Sequence, residues 1–201
     1  MKINKIKSLA PLVQTRYLSL YDAEYENRKG VTKSWTIASR KNFDTLKAQF
    51  SGESEESLDA VTIAAYHVET KSIVLVKQFR VPINDYIYEI PAGLLDGDES
   101  IENAVKRELK EETGLNLIKI NHGKSKNRVY MSPGMTDESV AIVYCTCEGE
   151  ISKEYLEDDE DIEAIFITQE EAKEMLKKDL KIDVKTLMVL QGFAYLGEDL
   201  F

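Results

Sequence analysis

The chain has 201 residues, a formal charge of −10, 43% apolar and 31% charged side chains. That length can bury a full core, and so much apolar content excludes an intrinsically disordered chain. No apolar run nears the roughly 20 residues that span a bilayer. The acidic surplus argues against general attraction to nucleic acid, whose backbone binding needs clustered Lys and Arg, so neither membrane nor nucleic acid is an expected partner.

The first twenty residues carry lysines but no continuous apolar stretch of the kind a secretory signal needs, so a cytoplasmic location is expected. Tyr17–Tyr21 and Val31–Ile37 alternate as strands do. Asn27-Arg28-Lys29-Gly30 lies between them as a turn, which predicts a hairpin. From Asn42 to Asp59 the chain turns polar and acidic and reads as an exposed linker. It divides a small N-terminal antiparallel β-subdomain over residues 1–57 from a main domain over 58–201.

Val61–Val68 and Ser72–Phe79 are apolar, β-branched runs joined by a hairpin-length connector, and Tyr86–Ile90 is a third short strand ending at Pro91. Pro91-Ala92-Gly93 reads as a turn. Ser100 to Thr113 is the clearest helix: Ile101, Ala104, Val105 and Leu109 form an apolar stripe, and Gly114 stands where a helix C-terminal glycine belongs. Strands return near Arg128–Met131, Ser139–Cys147 and Ala164–Ile167. Cys145 and Cys147, two apart, share one face and read as buried packing rather than a metal site. Thr168 and Glu171 make a capping box for a helix running to about Asp179. Asp183 caps a last helix with Leu187, Leu190 and Ala194 on one side. Strands and helices mixed without a βαβ rhythm predict an α+β fold rather than a doubly wound sheet.

On the clearest helix, Glu108, Glu111 and Glu112 stand at i, i+3 and i+4, so their carboxylates crowd one face. Two readings follow from the residues alone. The face is solvated and neutralised by Lys106, Arg107 and Lys110, or it gathers hard divalent cations, which favour oxygen ligands. The wider spacing separates them: Gly93, five residues, Glu99, seven residues, then Arg107-Glu108-Leu109-Lys110-Glu111-Glu112-Thr113-Gly114-Leu115. The stretch resembles the Nudix box, G-x5-E-x7-R-E-U-x-E-E-x-G-U with U apolar, at every specified position. At ordinary residue usage a chance match is about one in a million.

The resemblance implies a Nudix α/β/α sandwich with a mixed sheet, and a Mg²⁺-dependent (Mn²⁺ possible) hydrolase of nucleoside diphosphates linked to a further moiety. By position, Glu108 and Glu112 are the principal metal ligands, Glu111 a further ligand and catalytic group, and the Ala92 carbonyl completes the set. Arg107 orients the glutamates and Glu99 supports the loop. The flanks, Val74–Arg80, Tyr88–Leu94, and Ser132-Pro133-Gly134 followed by Thr136 and Glu138, are similar to the ADP-ribose pyrophosphatase branch. Relatives acting on GDP-mannose share much of this plan. The branch implies a homodimer in which an aromatic ring of the N-terminal subdomain stacks on adenine. Trp35 stands at the matching place, with Tyr17 as a second ring, and Arg40, Arg80 and Glu138 are the other substrate-binding candidates. The branch takes its base from a loop beyond the box, which implies the acidic stretch Glu154–Asp161, where Glu160 aligns best as base or extra metal ligand; Asp158 and Glu157 are alternates. An ADP-ribose-sensing module without turnover is a second class of reading, but such modules lose box glutamates, and this chain keeps all of them.

Overall fold

A computed structural model describes residues 5–156 and 160–201. It forms two compact units, Met1–Asp59 with Val129–Val140, and Ala60–Arg128 with Ala141–Phe201.

In the first unit, β1 (Ile6–Gln14), β2 (Ser19–Glu26) and β3 (Thr32–Ser39) make an antiparallel sheet in that order. The hairpin read around Asn27–Gly30 is present, and Gly30 takes the left-handed conformation that its turn requires. Tyr21 and Ala23 of β2 are fully buried, and the Tyr21 hydroxyl donates to the Lys41 carbonyl at 2.8 Å. Strand β1 was not expected. Its residues are nearly all exposed, so no apolar alternation marks it. The polar stretch read as a linker holds a helix, α1 (Phe43–Ser51), which corrects that expectation. Asn42 Oδ1 caps the Thr45 amide, Leu46 is fully buried, and Gly52 closes the helix at φ +81°.

The second unit contains β4 (Ala60–His67), β5 (Ser72–Arg80), β6 (Asp85–Glu89), β7 (Ala92–Leu94), α2 (Ile101–Thr113), β8 (Asn116–Ile120), β9 (Lys126–Tyr130), β10 (Ser139–Glu148), β11 (Ile162–Thr168), α3 (Gln169–Met175) and α4 (Val184–Leu196). Strands β9 and β10 run into residues that group with the first unit. The sheet order is β11-β5-β4-β10-β8, with β6 paired to β5 and β7 to β4. Pro91-Ala92-Gly93 is therefore not a simple turn, because Ala92 and Gly93 pair with Thr62 and Val61. The helix after the Thr168–Glu171 capping box stops at Met175, short of Asp179. Strand β8, whose residues are all exposed or half-exposed, was also unforeseen.

Strand β4 is buried throughout, and Leu75 and Ile90 pack with Val189, Leu190 and Phe193 of α4. Each such side chain contributes about 1.5–3 kcal/mol on burial. Ala104, Val105 and Leu109 of α2 are fully buried, which fixes the rotation of that helix. Cys145 and Cys147 are buried and unbridged. Burial pushes both thiols up, Cys147 to about 12, so neither is a nucleophile near neutral pH. Among the described residues no helix is long and apolar enough to cross a membrane.

Candidate active site

Helix α2 begins at Ser100, whose hydroxyl accepts from the Asn103 amide, and ends at Gly114 with φ +79°. With its apolar stripe turned into the core, residues one helical turn apart on the adjoining stripe, Glu108 and Glu112, are carried inward. They retain 8% and 4% exposure, whereas Glu111 stays half-exposed. Two carboxylates so deep need partners. Glu112 Oε2 accepts the Ala92 amide of β7 at 3.0 Å. Glu108 lies against Gly93: a Cβ there would stand 1.9 Å from the Glu108 carboxyl carbon. Glycine at this position makes room for a carboxylate.

Arg107 ties the glutamates together. Its Nε and Nη2 hold Glu99 at 3.2 and 2.8 Å, its Nη1 reaches Glu108 at 2.6 Å and Glu111 at 3.0 Å, and Nη2 also donates to the Leu94 carbonyl at 2.9 Å. All the guanidinium donors thus meet acceptors. The pairing holds Glu99 below the usual carboxylate range and pushes Arg107 further up, so it stays protonated.

The inner pair has the opposite electrostatics. Burial pushes Glu108 up against the pull of Arg107, and burial pushes Glu112 well above its ordinary value. The Ala92 amide and Arg80 pull Glu112 back, while Glu160 raises both Glu108 and Glu112. Glu160, just ahead of β11, thus acts on the box glutamates through its charge. Arg80, at the end of β5, joins the same field, and its Nε also donates to buried Glu89 at 2.8 Å. Asp158 and Glu157 lie outside the described residues.

Among the described residues no three carboxylates converge as a ready metal cage. Arg107 occupies oxygens of Glu108 and Glu111 in this arrangement. The donor set still fits a hard dication. It is all oxygen, its inner pair is buried where Gly93 makes room for the Glu108 carboxylate, and its carboxyl groups outnumber the guanidinium groups of Arg107 and Arg80. Substituting Gly93→Ala should displace only the flexible Glu108 carboxylate. Turnover is expected to fall about 10–100-fold with little change in melting temperature, as for displaced metal-site groups, and paired kinetics and thermal melts would show it.

The remaining candidates lie in the first unit. The Trp35 ring on β3 is 53% exposed, and its Nε1 donates to the Gly134 carbonyl at 3.1 Å. Arg40 pairs with Glu138 at 3.0 Å. Both contacts join β3 and its end to the Ser132–Glu138 segment, as does the Ala38 amide donating to Met135 at 2.9 Å. Tyr17 is 69% exposed beneath the Arg16 guanidinium and lies outside the sheet. Sequence reasoning missed Glu89. It also missed a buried ion triad in which Lys41 Nζ meets Asp59 at 2.7 Å and Asp137 at 2.9 Å. Those partners are distant in the chain and leave no local pattern.

The NUDIX domain model matches residues 57–188. An uncharacterized Nudix hydrolase of Schizosaccharomyces pombe is 33% identical over 197 residues, covering 90% of both chains. An ADP-ribose pyrophosphatase of Bacillus subtilis is 38% identical over 136 residues, 66% of this chain and 70% of that one. A solved structure described as an ADP compounds hydrolase shares the fold at TM-score 0.69 and 18% identity, covering 95% of this chain and 92% of that one. A box read along one helix and its loop, a fold shared nearly end to end, and a matching family model agree: the chain belongs to the Nudix hydrolase family.

Proposed function

We propose that the protein hydrolyses ADP-ribose and water to AMP and ribose 5-phosphate, using Mg²⁺, with Mn²⁺ as a substitute. The observation that carries this reading is the buried Glu108–Glu112 pair beside Gly93, with Arg80 and Glu160 acting on it. Similarity to the B. subtilis ADP-ribose pyrophosphatase supports the substrate. Glu108 and Glu112, with Glu111, Glu160 and the Ala92 carbonyl, would hold the cation. Bound there, it would offset charge on the pyrophosphate and make the attacking water more acidic.

The chain's own residues do the rest. Arg107, anchored on Glu99, restrains Glu108 and Glu111 so that they do not swing into solvent. Glu160 takes the proton from water as the general base. Arg80 and Arg40 bind the phosphates and ribose, with Glu138 orienting Arg40. Trp35 stacks on adenine, its indole N–H fixed by Gly134, and Tyr17 offers a second exposed ring. The active form is a cytoplasmic homodimer acting on nucleoside diphosphate sugars.

Stacking on an aromatic ring is worth about 1–3 kcal/mol per base. Trp35→Ala should therefore raise KM for ADP-ribose about 5–150-fold, and Trp35→Phe should recover most of it; steady-state kinetics decide. The substrate is tested by incubating the protein with Mg²⁺ and either ADP-ribose or GDP-mannose and separating the products. AMP and ribose 5-phosphate from ADP-ribose are expected. GDP-mannose cleaved in preference would reassign the substrate, and binding of ADP-ribose without turnover would favour a sensing module.

A further inference from the structure

Glu160 stands two residues ahead of β11, near the end of a strongly acidic stretch. The β11–β5 ladder pairs Ile162 with Gln78, and it continues one step further, because the Phe79 amide donates to the Asp161 carbonyl at 3.1 Å. The Asp161 side chain is held as well: its Oδ2 accepts the Tyr86 hydroxyl at 2.5 Å.

Tyr86 is itself restrained. It lies on β6 opposite Phe79 of β5, and the two rings meet edge to face at 5.5 Å. The Lys77 ammonium sits 5.3 Å from the Tyr86 ring centre. Strands β6 and β11 both pair with β5, so the Tyr86 side chain reaches past β5 to grip the residue next to Glu160. Holding both the carboxylate and the carbonyl of Asp161 restrains the residue that follows Glu160, and the Glu160 charge acts on Glu108 and Glu112.

We infer that Tyr86 and Asp161 form a clamp that positions Glu160 for its part in the reaction, Tyr86 acting through hydrogen bonding alone and touching neither metal nor substrate. The inference rests on the proposed role of Glu160. The clamp also keeps a second acidic side chain occupied where it would otherwise be free to compete with Glu160 for the same positive charge.

The test is a double-mutant cycle on the full chain with ADP-ribose and Mg²⁺, together with hydrogen exchange of the metal-free protein. Tyr86→Phe removes one hydroxyl and should lower kcat about tenfold, the scale of one hydrogen bond to a charged group, with KM unchanged. In a Glu160→Gln background the same change should cost nothing further. Asp161→Asn keeps an acceptor for the hydroxyl and should lose less than Asp161→Ala. The Phe79 amide should exchange faster in Tyr86→Phe than in the parent. Unchanged kcat in Tyr86→Phe, the same loss in both backgrounds, or an unaltered Phe79 amide would overturn the clamp. Full turnover in Glu160→Gln would instead remove Glu160 from the chemistry, and the Phe79 exchange rate would then report a contact that is structural only.

Discussion

Glu112→Gln should make the metal-free protein more stable while lowering turnover about a thousandfold. The two effects share one cause. Glu112 is buried at 4% exposure, and burial pushes its carboxyl well above the ordinary value of 4.5. The folded state therefore holds a proton that the unfolded chain releases. Below the ordinary value both states are protonated and the group is neutral in its effect. As pH rises above it, the folded state becomes progressively less favoured, until the carboxyl ionises in both states. Glutamine keeps an acceptor for the Ala92 amide and removes the buried charge, so this loss disappears and the melting temperature near neutral pH should rise by a few degrees. The same carboxylate is what a dication would compensate. Its removal should forfeit several kcal/mol of transition-state stabilisation. Melts across the pH range and single-turnover kinetics would check both halves. A variant that is less stable at every pH would contradict the electrostatic account of the pair.

Lys41→Met should cost about 3–5 kcal/mol, the range for leaving buried charges unpaired. Lys41 bridges Asp59 and Asp137, and the Lys41 and Asp59 side chains are 7% and 8% exposed. Asp59 is committed elsewhere too, accepting the Ser139 amide at 2.8 Å, and Asp137 Oδ1 is buried without a hydrogen-bond partner among the described residues. Without the ammonium, two carboxylates would face each other at low solvation. Burial alone would lower the Lys41 pKa, but the two carboxylates outweigh it and raise it above 10.5. The stabilisation is thus complete below the ordinary lysine value and is lost only as pH rises through the raised one. A drop of about 10 °C in melting temperature is expected. The triple variant Lys41→Met, Asp59→Asn, Asp137→Asn should regain much of it, since the cost lies in the uncompensated charges. Calorimetry of the three proteins tests this.

The parts that were legible in the sequence are those whose signal is local. Helix α2 announces itself through Ser100, the stripe from Ile101 to Leu109, and Gly114, and the box rides on that periodicity. Strands β4 and β5 are visible because both are apolar and β-branched. Helix α1 was missed although Asn42, Phe43, Leu46 and Gly52 supply a cap, part of an apolar stripe and a stop; the acidic residues around Ser54 masked them. Ala92–Leu94 looked like a turn because proline precedes it and glycine occupies its centre. That glycine serves the Glu108 carboxylate rather than a bend. The arrangement of the candidate site was readable only in part. The spacing of Glu108, Glu111 and Glu112 predicts a shared face. Which of them faces inward depends on the rotation of α2, set by Ala104, Val105 and Leu109 against the core. The grip of Arg107 on Glu99, and of Tyr86 on Asp161, joins residues on separate elements and has no sequence pattern of its own.

The central claim is that this helix face exists to bind divalent cations, and the most direct measurement is a Mn²⁺ titration followed by paramagnetic resonance in the presence of a non-hydrolysable ADP-ribose analogue. Bound Mn²⁺ in the wild-type protein, displaced by Mg²⁺ and lost in Glu112→Gln, is the expected result. Equal Mn²⁺ binding in the wild type and in Glu112→Gln, or none in either, would contradict it.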